Sequence, residues 1–160
     1  MLEINHAVEN FKLPSTGNKE FSLSDCMGRN VIIYFYPKDD TPGCTTEGQG
    51  FRDNWHLFTE MNCIIVGVSR DSIKSHESFK AKMQFPFELL SDEGEEVCNL
   101  FNVMKMKNMY GKQVRGIERS TFVVDTQGIL IKEWRGVKVP GHVQEVLDFI
   151  NTFNSNSYQY

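Results

Sequence analysis

None of the four cysteines in this 160-residue chain has a second cysteine nearby. They stand at 26, 44, 63 and 98, too widely spaced for a zinc knuckle and too few for the disulfide framework of a small secreted domain. Reduced thiols are the expectation, so a cysteine with unusual surroundings reads as reactive rather than structural. Basic runs are missing as well: 17 scattered lysines and arginines face 21 acids, a net charge of −4, and no nucleic-acid partner is expected. No segment approaches membrane-spanning length, and "MLEINHAVENFKLP" carries acids where a signal peptide needs a basic start and an unbroken apolar run. A cytoplasmic protein without a membrane partner is the expectation. His6, His56, His76 and His142 show no metal-ligand spacing with each other or with the cysteines, so no metal is expected. Repeats, low-complexity stretches and linkers are also absent from the sequence. The length suits one core, read as a single domain over residues 1–153 with a polar tail, "NSNSYQY", over 154–160.

What is present alternates. After an irregular opening, "VIIYFYP" (31–37) is a continuous apolar, β-branched and aromatic run, the signature of a buried strand. A helix should follow, with Phe51, Trp55 and Phe58 at helical spacing. "CIIVGVS" (63–69) is a second buried strand, and Ile73, Phe79 and Met83 mark a helix that the proline of "QFPF" ends. "FELLSD" (87–92) predicts a short strand and "EEVCNLFNV" a short helix. "STFVVD" and "ILIKEWRG" predict a hairpin about "TQG", and Val143, Val146, Leu147 and Ile150 stripe a last helix. The order implies an α/β fold, a mixed central sheet with helices on both faces. A thioredoxin-like domain suits it; the pattern alone also admits a flavodoxin-like arrangement.

Functional residues of such sheets gather beyond the carboxyl ends of the strands, where "PKDDTPGCTTEGQG" (37–50) lies. Thr41 can cap the following helix through its hydroxyl, Pro42 suits the first helical position, and Gly43 permits close approach to the backbone. Cys44 then falls in the first turn, where unpaired N–H groups and the helix dipole favour thiolate over thiol. The alternative, a small apolar residue tucked under a turn, suits its polar neighbours Asp40, Thr41 and Thr45 poorly.

These residues resemble the active-site signature of the peroxiredoxins: Pro, three residues, Thr or Ser, two residues, Cys, here Pro37, Thr41 and Cys44. The longer string "YFYPKDDTPGCTTE" is similar to the Q-type, or bacterioferritin comigratory, subgroup, and the likeness runs from about "FKLPS" to the last helix. In "RGIERSTFVVD" the resemblance assigns Arg119 to the arginine that the family brings beside the cysteine, whereas spacing alone leaves Arg115 as an alternative. The resemblance implies a thiol peroxidase with a thioredoxin-like fold, no cofactor and no metal. Cys44 would be the peroxidatic nucleophile and Arg119 its fixed cation. Thr41 and the backbone N–H groups of Gly43 and Cys44 would hold the peroxide, Pro37 would exclude water and Glu47 would orient the arginine. Arg119→Ala would slow oxidation and leave stability nearly unchanged. The resemblance also implies a monomer reduced by thioredoxin or another thiol.

The chain departs from the subgroup at Gln49, where many members carry a resolving cysteine, and residues 72–83, the other common location, contain none. Three cysteines remain as candidate resolvers. Cys98 reads as a packed thiol but comes first, Cys26 reads as an exposed loop residue, and Cys63 opens a buried strand. A one-cysteine mechanism leads, with an atypical two-cysteine route through Cys98 or Cys26 second. Other functions are also weighed. A disulfide oxidoreductase needs Cys-x-x-Cys, but residue 47 is Glu. A cysteine hydrolase needs a histidine base that sequence cannot place. A non-enzymatic redox sensor or binding module needs no resolver.

Overall fold

A computed structural model describes residues 2–157. Its elements run β1 (Lys12–Ser15), β2 (Lys19–Ser22), a 3-10 turn (Leu23–Cys26), β3 (Asn30–Phe35), α1 (Pro42–Asp53), α2 (Trp55–Glu60), β4 (Cys63–Ser69) and α3 (Ile73–Met83). They continue with β5 (Glu88–Ser91), α4 (Glu96–Leu100), β6 (Met104–Met109), β7 (Lys112–Ile117), β8 (Ser120–Val124), β9 (Leu130–Arg135) and α5 (His142–Ser157).

All six residues of β3 are buried, because the strand lies inside a seven-stranded sheet ordered β2-β1-β5-β4-β3-β8-β9. Burial on both faces removes any polar alternation, which is why "VIIYFYP" reads as one apolar run. β4 pairs parallel with β3 and β5, while β8 joins β3 antiparallel and β9 follows as the hairpin predicted from "TQG". The sheet is therefore mixed, as the element order implied.

The pleat of β3 feeds two cores. Ile32, Tyr34 and neighbouring Tyr36 point into one, beneath Phe51 of α1, Phe58 of α2, Phe79 of α3 and Val146 and Ile150 of α5. Val31, Ile33 and Phe35 point into the other, with Val97 and Cys98 of α4, Phe101, Phe122 and Cys26. Each fully buried Phe or Ile contributes roughly 1.5–3 kcal/mol relative to exposure.

Four features differ from the sequence reading. The opening contains the β1–β2 hairpin, whose four-residue strands are half polar and too short to show a period. The β6–β7 hairpin was also missed. It pairs only with itself, and its two-residue turn, Tyr110–Gly111, has φ of 54° and 81° with tyrosine where Asn or Asp would signal such a turn. The single helix expected through Phe51, Trp55 and Phe58 is two helices broken at Asn54, whose Nδ2 donates to the Gly50 carbonyl at 2.9 Å. Trp55 is consequently 36 % exposed while Phe51 and Phe58 are fully buried. Finally, α5 continues to Ser157, so the first residues of the expected polar tail are helical; Tyr158, Gln159 and Tyr160 lie outside the described residues.

Candidate active site

α1 begins where β3 ends, and its start is set by residue types. Thr41 is the N-cap in extended geometry and Pro42 takes the first helical position. The first intrahelical bond runs from the Thr45 N–H to the Thr41 carbonyl, 2.8 Å, so the helix offers no acceptor to the Gly43 and Cys44 N–H groups. The expected cap is not made. Thr41 Oγ1 instead donates to the Lys38 carbonyl at 2.8 Å, because the turn through Asp40, at φ 57°, brings that oxygen within reach. The hydroxyl proton is thereby engaged and its lone pairs remain available to an incoming donor.

Cys44 is 2 % exposed. Arg119, in the two-residue link between β7 and β8, directs Nη2 to Cys44 Sγ at 3.4 Å and Nη1 to Glu47 Oε1 at 2.7 Å. Cys44 and Glu47 are three residues apart on α1 and so share a face, which lets one planar guanidinium span both. Arg115, the alternative left open by spacing, instead pairs with Glu95. Gly43 has a reason to lack a side chain: a Cβ there would stand 3.0 Å from Arg119 Nη2. Pro37 lies just past β3, half-buried.

Glu47 is completely buried, and its Oε2 has no hydrogen-bond partner. Burial pushes its carboxyl up to about 7, against the pull of the Arg119 charge. Burial also works against the charge on Arg119, but the charges on Glu47 and Cys44 outweigh it and raise the guanidinium above its ordinary value.

The remaining cysteines sit elsewhere. Cys98 is fully buried in the core on the opposite face of the sheet, where burial and then Asp92 raise its thiol far above the ordinary range. Cys26 is not the exposed loop residue expected. It ends the 3-10 turn, is 9 % exposed in that same opposite core, and donates its thiol to the Ser22 carbonyl; burial and Asp25 raise its pKa. Cys63 shares the Cys44 face but pairs with Asn30 at the far end of β3, about 17 Å along the strand at ~3.3 Å per residue. Burial pushes its thiol up to about 12.

Among the described residues, no histidine pairs with Cys44, which removes the base a cysteine hydrolase would need. His142 instead meets Thr121 at 2.8 Å, and His76 lies between Asp39 and the Leu90 carbonyl. Asp39, Asp71 and His76 bring ligand-type atoms within 4.8 Å of one another, a grouping that the sequence concealed because Asp39 stands 32 residues before Asp71. Those atoms are already engaged in hydrogen bonds to neighbouring side chains and backbone.

Comparison with known proteins identifies the family. Residues 4–133 match the family model described as AhpC/TSA. A protein named peroxiredoxin Bcp from Xanthomonas campestris is 49 % identical over 147 residues, covering 92 % of each chain. A protein named putative peroxiredoxin bcp from Coxiella burnetii is 47 % identical over 146 residues, 91 % of this chain and 97 % of its own. The solved Xanthomonas campestris bacterioferritin comigratory protein, studied for alkyl peroxide reduction, superposes with a TM-score of 0.88 at 46 % identity, covering 96 % of this chain and 98 % of that one. Peroxiredoxin Q of Xylella fastidiosa superposes with a TM-score of 0.91 at 42 % identity, with the same coverage. Sequence and fold are thus shared with these proteins over most of the chain, and the chain belongs to the AhpC/TSA family, among its peroxiredoxins of the Bcp or Q type.

Proposed function

We propose that the chain reduces hydrogen peroxide and organic hydroperoxides through the thiolate of Cys44. The carrying observation is that one half-buried guanidinium, Arg119, spans Cys44 Sγ and Glu47. A sulfur electron pair attacks the terminal oxygen of the hydroperoxide; the S–O bond forms as the O–O bond breaks. The product is a Cys44 sulfenic acid, and the departing hydroxide or alkoxide takes a proton to leave as water or alcohol. Arg119 stabilises charge on the thiolate and on the leaving oxygen. Thr41 Oγ1 accepts a hydrogen bond from the hydroperoxide O–H, because its own proton is donated to the Lys38 carbonyl, and the Gly43 and Cys44 N–H groups complete the cradle. Glu47 holds the guanidinium in plane, and Pro37 limits water.

The recycling route is a one-cysteine one. Cys26 and Cys98 lie in the core across the sheet from Cys44, Cys63 lies at the far end of the strand, and residue 49 is Gln. The sulfenic acid therefore condenses with an outside thiol, releasing water. A second thiol then reduces the mixed disulfide and returns Cys44 as thiol. Thioredoxin or a small thiol supplies those electrons to a monomeric, cytoplasmic enzyme, a setting that the four free cysteines support; among the described residues no helix is long and apolar enough to cross a membrane.

The test is the intact mass after one equivalent of hydrogen peroxide, with the thiols then blocked. Gain of one oxygen, lost in Cys44→Ser, is expected. Loss of two hydrogens would indicate an internal disulfide, and oxidation persisting in Cys44→Ser would overturn the assignment.

A further inference from the structure

Beside the loop that carries Thr41 lies a buried polar cluster that the chemistry above does not use. Its centre is Asp39, 7 % exposed. Asp39 Oδ1 accepts from the Tyr36 hydroxyl at 2.6 Å, while Oδ2 accepts from Ser75 Oγ at 2.8 Å and meets His76 Nδ1 at 2.7 Å. The Asp39 N–H donates to Asp71 Oδ2 at 3.0 Å, and Asp71 is itself held by Ser69 Oγ at 2.5 Å and, through its carbonyl, by Ser91 Oγ at 2.5 Å. His76 is fully buried, and its Nε2 meets the Leu90 carbonyl at 2.9 Å. A carbonyl only accepts, so Nε2 carries a proton and the ring is fixed between β5 and the loop. One residue on, Asp40 holds the left-handed φ of 57° and pairs with Lys82 of α3 at 2.9 Å.

Burying a carboxylate is costly unless its lone pairs are filled, and a left-handed non-glycine residue persists only where its surroundings impose it. Both conditions are met here by α3 and β5, elements that carry none of the reacting groups. The loop 37–41 is thus pinned to α3 and β5.

We propose that Asp39 and His76 are positioning residues. They lock the loop against α3 and β5, and in doing so hold the first turn of α1 closed over Cys44. This rests on the reading of Cys44 as the peroxidatic cysteine. Oxidation needs the closed arrangement, with Thr41 and Arg119 in place. Reduction by an outside thiol needs the sulfur uncovered, since Cys44 is 2 % exposed when closed. With Gln49 in place of an internal thiol, the strength of this lock divides the cycle between its two halves. Loosening it slows the first half and speeds the second.

The test separates the halves. Rate constants are measured for oxidation of Cys44 by hydrogen peroxide and, separately, for reduction of its sulfenic acid by dithiothreitol, in wild type, Asp39→Asn, His76→Gln and the core control Leu13→Ala. Asp39→Asn and His76→Gln should lower oxidation about tenfold or more and raise reduction about threefold or more. The control, on the opposite face and matched for loss of Tm, should move neither. Changes within about twofold in both halves, or the same pattern in the control, would overturn the proposal. Should either buried variant fail to fold, Tyr36→Phe and Ser75→Ala, which each remove one hydroxyl from Asp39, decide: opposite shifts in the two halves sustain the lock and unchanged rates dismiss it. A wild-type Cys44 left unoxidised would refute the functional reading itself, a different failure from unchanged variants.

Discussion

Arg119 and Glu47 form a 2.7 Å ion pair whose carboxylate is wholly buried while the guanidinium keeps 15 % of its side chain exposed. The pair is unequal: the anion bears most of the desolvation, and its second oxygen has no partner. Glu47 is thus an acid that ionises near neutrality for the sake of its cation.

That inequality predicts a pH dependence. Glu47 titrates at about 7 in the folded chain against an ordinary 4.5. The folded state therefore holds the proton more tightly, and the stability it contributes is full below 4.5 and lost as pH rises through 7. Urea midpoints of wild type should fall across that window more steeply than those of Glu47→Gln. Peroxide oxidation should run the other way, gaining as Glu47 ionises and fixes Arg119; stopped-flow profiles should lose the limb near pH 7 in Glu47→Gln.

Arg119→Ala should slow oxidation of Cys44 by about a hundredfold or more, the usual cost of removing one donor to developing charge. The sequence implied little change in stability, but the burial of Glu47 alters that expectation. Stripped of its partner, the carboxylate should cost about 3 kcal/mol at pH 8, and less at pH 6 where it takes up a proton. Arg115→Ala should leave oxidation within about twofold of wild type, since that exposed residue pairs with Glu95 rather than with Cys44. Denaturant melts at the two pH values, with the oxidation kinetics, check both statements.

Two glycines on α1 should separate catalysis from stability. In Gly43→Ala the new Cβ would press on the end of Arg119 at 3.0 Å, a flexible group that can swing away from Cys44. Oxidation should drop about tenfold with little loss of Tm. In Gly48→Ala the Cβ would stand 2.4 Å from Phe85 Cζ inside the core, so about 1–3 kcal/mol of stability should be lost instead.

Gln49→Cys should convert the recycling chemistry. Positions 44 and 49 are about 7.5 Å apart along an intact helix at 1.5 Å per residue, beyond the reach of a disulfide, so the bond requires the start of α1 to unwind. After one equivalent of peroxide this variant should lose two hydrogens where wild type gains one oxygen, as intact mass reports.

How much was legible depended on how local the cause was. β3, β4 and β8 could be read because each is an apolar run whose burial is written in its own residues, β9 because it closes a hairpin about "TQG", and Pro37, Thr41 and Cys44 because helix-start chemistry spans a few positions. The β6–β7 hairpin could not be read, because strands that pair only with each other need no apolar face. Cys26 was misread because its cover comes from residues far along the chain. Asp39 and His76 passed unnoticed for the same reason: each is an ordinary polar residue until the fold joins them.

By itself, then, the sequence determined the central strands of the sheet, the cysteine at the helix mouth and the lack of a neighbouring thiol, since local propensity, patterning and residue identity suffice for these. Only tertiary structure decided which arginine meets Cys44, that Glu47 ionises near neutrality, and that Cys26 and Cys98 lie across the sheet from the site. Desolvation and the distance between remote residues decide those matters, and neither exists until the chain has packed.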